Sequence, residues 1–131
     1  LSNVSRQTQF SAGADLKAAE TVVIKPNQTV LVPTGHYVDN NLDDTDPAMF
    51  YMLCARSSIA YKKNLLLMNG VGIIDADYKQ EVKVMYRNVG TEDVTLEQGE
   101  RIAQIIPLQF IPSYPALDVE RNGGFGSSGT K

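Results

Sequence analysis

Glu81-Val82-Lys83-Val84-Met85-Tyr86-Arg87 decides the class of fold. Apolar and charged residues alternate with a period of two, the pattern of a strand with one face buried and one in water. Similar short β-branched and aromatic runs recur between turn residues on both sides of it. They are Thr21–Ile24, Thr29–Val32, His36–Val38, Met49–Cys54, Leu65–Met68, Gly72–Asp75, Val82–Asn88, Asp93–Leu96 and Ile102–Phe110. Many short strands at this spacing predict an all-β sandwich or barrel. Ile102, Ile105 and Ile106 are expected in its core. The only helix candidate is Ser57–Lys63, about two turns long. The polar, Pro-terminated stretch 39–47 reads as an exposed acidic loop.

At 131 residues, with 43% hydrophobic and 21% charged residues, the chain has the size and composition of one globular domain. A formal net charge of -3 argues against a nucleic-acid polymer as partner. A small phosphorylated ligand stays compatible with that sign, because a few placed cations suffice to bind it. Cys54 is the single cysteine, which excludes an intrachain disulfide framework and a multi-cysteine zinc site and favours an intracellular setting. No apolar run approaches 18 residues and residues 1–10 lack signal-peptide character, so the chain reads as soluble, with no membrane role.

Five islands carry more chemistry than a bland β domain needs. Ala12-Gly13-Ala14-Asp15-Leu16 sets one carboxylate among small residues and, taken alone, reads as a turn. Arg56-Ser57-Ser58 joins a cation and two hydroxyls at a strand-to-helix junction, which suits phosphate; the plainer alternative is a serine N-cap beside a surface arginine. Asn69-Gly70-Val71-Gly72-Ile73-Ile74-Asp75-Ala76-Asp77-Tyr78 opens with the strongest short hairpin signal. Its backbone can read the edge of a flat ring, with Asp75 placed to deprotonate a water. Alternatively, Asp75 caps a turn and Tyr78 is core. In Gly99-Glu100-Arg101-Ile102-Ala103-Gln104, the polar Gln104 among isoleucines needs a hydrogen-bond partner, either a ligand or the backbone. Arg121-Asn122-Gly123-Gly124-Phe125-Gly126-Ser127-Ser128-Gly129 is either a frayed end or an arm that closes on an aromatic, phosphorylated ligand.

In this order the five islands resemble the motifs of the trimeric dUTPase family, from Ala12 to Gly129. The resemblance implies a distorted jelly-roll β-barrel over residues 1–120, a flexible C-terminal arm over 121–131, and a homotrimer whose subunits share their active sites. It implies Mg²⁺-dependent hydrolysis of dUTP to dUMP and pyrophosphate. Asp75 would activate the water. Asn69, Gly72 and Ile74 would select uracil, and Tyr78 would exclude a 2′-hydroxyl. Arg56, Ser57, Ser58 and Gln104 would hold phosphates, and Asp15 would act on Mg²⁺ through a coordinated water. Phe125 and Gly126 would cover uracil, while Arg121, Ser127 and Ser128 reach the γ-phosphate. Cys54 and His36 have no part in this scheme. The arm has one residue fewer than usual between its arginine and Gly-Gly-Phe, Gln80 replaces a usual glycine, and loop 39–47 is long. Two other readings remain: a dCTP deaminase-like enzyme, which also carries Arg-Ser-Ser, and a nucleotide-binding regulator that uses loop 39–47 for a protein partner.

Overall fold

The computed structural model describes residues 4–38 and 48–117. The acidic loop 39–47 and the arm residues Arg121, Phe125, Gly126, Ser127 and Ser128 lie outside them. The described chain is a distorted jelly roll of ten antiparallel strands and one helix. In chain order these are β1 (Ser5–Arg6), β2 (Ala14–Lys17), β3 (Val22–Ile24), β4 (Thr29–His36), β5 (Met49–Ala55), α1 (Ser57–Lys63), β6 (Leu65–Leu67), β7 (Gly72–Asp75), β8 (Val82–Asn88), β9 (Val94–Leu96) and β10 (Arg101–Gln109). No helix among them is long and apolar enough to cross a membrane.

The strands form three ladders: β1-β2-β10-β5-β7, β4-β8-β6 and the pair β3-β9. Among the described residues these ladders do not join into a closed barrel, so the barrel expectation holds only as an open jelly roll. The sequence accounts for one open edge. β4 carries Pro33, which has no N–H to donate, and its register with β8 shifts between Pro33 and His36. Proline and a bulge confine a strand to a sheet edge.

The alternation in β8 is realised residue by residue. Val82, Val84, Tyr86 and Asn88 are buried, and the residues between them are half-exposed. They pack with Leu16, Ile24, Val32, Leu65, Leu96 and Ile102 in one core. Two polar groups in it are fully partnered. Asn88, wholly buried, donates from Nδ2 to the carbonyls of Ile24 (2.8 Å) and Glu92 (2.7 Å), and its Oδ1 accepts from Gly90 N (2.9 Å). The Tyr86 hydroxyl donates to the Ile102 carbonyl, tying the three-stranded sheet to the five-stranded one.

Two local expectations are corrected. Ala14–Lys17 is an interior strand between β1 and β10, where residues 12–16 alone suggested a turn. Tertiary pairing overrides weak local propensity here. The Asn69-Gly70 signal makes a tight turn, with Gly70 at φ 70° and its N–H on the Leu67 carbonyl (2.8 Å), but not a hairpin. The flanking strands part company: β6 pairs with β8, and β7 pairs with β5. The turn is a corner between two sheets.

Both buried groups give measurable outcomes. Asn88→Ala strands two carbonyls and one amide, and we expect a loss of about 2–4 kcal/mol in denaturant unfolding. Burial pushes the Tyr86 phenol up to about 12, the nearby Arg56 offsetting only part of that effect. An unfolded tyrosine ionises near pH 10. Between these values the unfolded chain releases a proton that the folded chain keeps, so stability present below pH 10 is lost as pH rises toward 12. The loss should reach about 2–3 kcal/mol. Melting curves from pH 9 to 12 should show a steeper decline for the wild type than for Tyr86→Phe.

Candidate active site

Three of the islands meet where β2, β10 and the start of α1 adjoin. The antiparallel register sets Asp15 of β2 directly opposite Gln104 of β10, and Gln104 opposite Cys54 of β5. At the end of β5, Arg56 caps α1 with extended backbone and makes no side-chain capping bond, so the N-cap is arginine and neither serine holds that position. Its guanidinium is directed to the sheet instead: Nη1 donates to the Arg101 carbonyl (3.0 Å) and Nε lies 3.6 Å from Asp15 Oδ1. Arg101 Nη1 approaches the other oxygen of the same carboxylate at 3.7 Å. Asp15 is buried, and its Oδ2 accepts no hydrogen bond in the structure. One carboxylate therefore sits between two guanidiniums and draws both toward it.

These groups line a cavity of about 660 Å³. Five cations (Lys17, Arg56, Lys62, Lys63 and Arg101) face it against two acids, Asp15 and Glu100. Ser58 adds a half-buried hydroxyl, whereas Ser57 is exposed beside it. In a protein of net charge -3, this concentration of positive charge suits a polyanion such as a di- or triphosphate. Gln104 stands behind the wall, its amide donating to the Ala55 carbonyl at 3.2 Å. A side chain at Gly13 would clash with it, since a Cβ there would come within 2.6 Å of Gln104 Oε1. A larger residue at position 13 would therefore oblige the Gln104 amide to move.

The third island forms a separate pocket of about 250 Å³ under the corner between sheets. Asn69, Gly72, Ile74, Asp75 and Tyr78 line it with Leu53 and Met85. Gly72 is buried against Leu53, whose Cβ would lie 3.1 Å from any added Cβ, so the backbone itself forms the wall. Tyr78 is buried, its N–H on the Asp75 carbonyl (3.1 Å) and its hydroxyl donating to the Glu81 carbonyl (3.3 Å). Its ring is both core and pocket wall. Asp75 stands exposed at the end of β7. The pocket thus combines an apolar and aromatic wall with backbone at Gly72 and one carboxylate, Asp75.

The structure thus gathers Asp15, Arg56 and Ser58 in one cavity and Asn69, Gly72, Ile74, Asp75 and Tyr78 in another. The two share no lining residue. Arg101 and the lysines of α1 were missed from the sequence. Strict alternation from Gln104 directs Arg101 to the opposite face, but the register of β10 against β2 shifts between Arg101 and Ala103. That irregularity brings Arg101 round to Asp15, and nothing in the local pattern marks it.

A family model described as dUTPase matches residues 2–129. A deoxyuridine 5'-triphosphate nucleotidohydrolase from Hahella chejuensis is 42% identical over 132 residues, covering 95% of this chain and 84% of the relative. One from Aquifex aeolicus is 41% identical, covering 97% and 87%. Among solved structures, the dUTPase from Streptococcus mutans superposes with a TM-score of 0.74 at 35% identity, over 82% of this chain and 85% of that one. A point mutant of the Staphylococcus bacteriophage 80alpha dUTPase also reaches 0.74, over 92% of each chain, but at 20% identity it speaks for the fold alone. Five motifs in order, a cationic cavity and a second pocket therefore agree with the comparisons: the chain belongs to the dUTPase family.

Proposed function

We propose that this protein hydrolyses dUTP to dUMP and pyrophosphate, at sites built from the cationic cavity of one copy and the nucleoside pocket of another in a homotrimer. The separation of the two half-sites on a single chain is the observation that carries the shared-site reading. A lone chain also leaves Ile73 of the nucleoside pocket exposed, with Met68 and Val71 exposed in the adjoining turn, apolar surface suited to a neighbouring copy.

In this reading uracil enters the pocket beneath the Asn69-Gly70 corner, where Asn69 and the backbone through Ile74 meet its polar edge. The Tyr78 ring closes the space beside the deoxyribose. Asp75 takes a proton from a water as that water attacks the α-phosphorus in line. One phosphorus–oxygen bond forms, the bond to the β-phosphate oxygen breaks, and pyrophosphate leaves. Arg56, Arg101 and Ser58 offset the charge that develops on it. Arg121, Phe125, Gly126, Ser127 and Ser128 are assigned to arm closure by their motif alone. A substrate of nucleotide metabolism is consistent with an intracellular setting.

The residues present fit Mg²⁺ as a partner of the substrate. Among the described residues no three acidic, histidine or cysteine side chains cluster to cage a metal. A single buried carboxylate, Asp15, has an oxygen without a hydrogen-bond donor next to the phosphate cavity. This arrangement suits an ion held mainly by phosphate oxygens and water, with Asp15 accepting from that water. When bound, Mg²⁺ would neutralise charge on the triphosphate.

Two experiments test the proposal. With magnesium present, pyrophosphate should be released from dUTP and not from dCTP, dTTP or UTP, and Asp75→Asn should lower the rate by about 10²–10⁴-fold. A folded wild-type sample that leaves dUTP intact overturns the activity. For the shared site, Asp75→Asn and Arg56→Ala chains are unfolded together, refolded and assayed. Random assembly puts a sound Asp75 opposite a sound Arg56 at about one site in four, so about a quarter of wild-type activity should return. Sites confined to single chains would recover none.

A further inference from the structure

α1 is joined at its start to the first residue of β10 and at its end to β9 and the turn that precedes β10. At its start, Arg56 Nη1 donates to the Arg101 carbonyl at 3.0 Å. At its end, Lys63 Nζ meets Glu100 Oε2 at 2.9 Å and also donates to the Thr95 carbonyl at 2.9 Å. Glu100 is itself fixed: its Oε1 accepts from Glu97 N (2.9 Å), its N–H donates to the Glu97 carbonyl (3.0 Å), and its carbonyl accepts from Ala18 N (2.9 Å), just beyond β2. Both side chains of the Lys63–Glu100 pair are about two-thirds or more buried, at 31% and 26% exposure. Burial disfavours the Glu100 carboxylate, yet hydrogen bonds from Lys63 and Glu97 and the charges of Lys63 and Arg56 outweigh it and hold its pKa below the ordinary value.

α1 is separated by one residue from β5 and by one from β6, and its Ile59 is buried in the core, so the polar contacts at its two ends set its finer placement against β10. Anchored at both, it fixes where Arg56 stands relative to Arg101, and hence the width of the gap that Asp15 spans. We propose that Lys63 and Glu100 are positioning residues: their ion pair locks α1 against the turn and sets the two guanidiniums at the separation that phosphate binding needs. This rests on the phosphate-binding reading above, and its logic is opposite in sign to plain electrostatics. Glu100 is an acid facing a polyanion cavity, so its neutralisation alone would tighten binding of phosphate. If it holds Arg101 and α1 in place, its neutralisation weakens binding instead.

The test uses Glu100→Gln, which keeps an acceptor for Glu97 N while removing the charge, with Lys63→Met, the double variant and Lys63→Arg. The affinity for inorganic pyrophosphate is measured by calorimetry and KM for dUTP by turnover. Each of the first two variants should weaken pyrophosphate binding and raise KM by about fivefold, the scale of a partly buried ion pair. The double variant should be no worse than Lys63→Met alone, because the ion pair is already lost in that variant. Lys63→Arg should restore most of the affinity. Tighter or unchanged pyrophosphate binding in Glu100→Gln overturns the inference, as do additive losses in the double variant or an absence of pyrophosphate binding by the wild-type protein. Should the wild type bind pyrophosphate but leave dUTP intact, the activity falls while the binding series still decides the role of the pair.

Discussion

The Tyr86 hydroxyl is the contact on which the rest of the molecule depends. It comes from the middle strand of the three-stranded sheet and ends on the Ile102 carbonyl in the five-stranded sheet, with Arg56 beside it. A phenol is long enough to cross a core between sheets and deliver a polar group to the far side, and when buried it must find a partner there. That partner lies between Arg101 and Ala103, where β10 shifts its register against β2. The bond therefore closes the core and pins the irregular backbone that carries the cationic site. Stability and binding geometry are set at one point.

The parts of the fold legible in the sequence were those whose burial is periodic or whose ends are marked by turn residues. Val82–Asn88 is legible because its alternating residues meet the core and water in turn, and Gly72–Asp75 and Ser57–Lys63 are legible from the turn residues that bound them. Ala14–Lys17 was not legible as a strand. Its small residues and lone acid carry no alternation signal, and it becomes a strand only because β1 and β10 flank it. The Asn69-Gly70 turn was legible as a turn, but its topology was not, since the choice between hairpin and corner is made by β5 and β8, which lie elsewhere in the chain.

The site divides along the same line. Motif order identified Asp15, Arg56, Ser58, Asn69, Gly72, Ile74, Asp75 and Tyr78, and each of them lines a cavity. Motif order did not separate them into two cavities, nor did it find the second guanidinium on Asp15. Gln104 carried both readings open to a polar residue in an apolar strand. Its amide nitrogen is used by the Ala55 carbonyl, and its oxygen lies in the space that a side chain at Gly13 would enter.

Burying Asp15 between Arg56 and Arg101 looks wasteful for the phosphate site proposed here, because the carboxylate cancels charge where charge is wanted. The distances argue for another role. At 3.6 and 3.7 Å the two pairs are looser than a close hydrogen-bonded ion pair, so the guanidiniums are oriented without being consumed. Two unscreened guanidiniums in a half-buried cavity would repel each other and splay toward water; with an acid between them they stay near one another and keep donors for a ligand. A polyanion entering the cavity then meets donors already ordered, and little side-chain freedom remains to be lost on binding. The acid lowers the raw attraction of the cavity and raises its preorganisation. For phosphoryl chemistry, where catalysis is chiefly placement and charge stabilisation, that exchange favours the reaction.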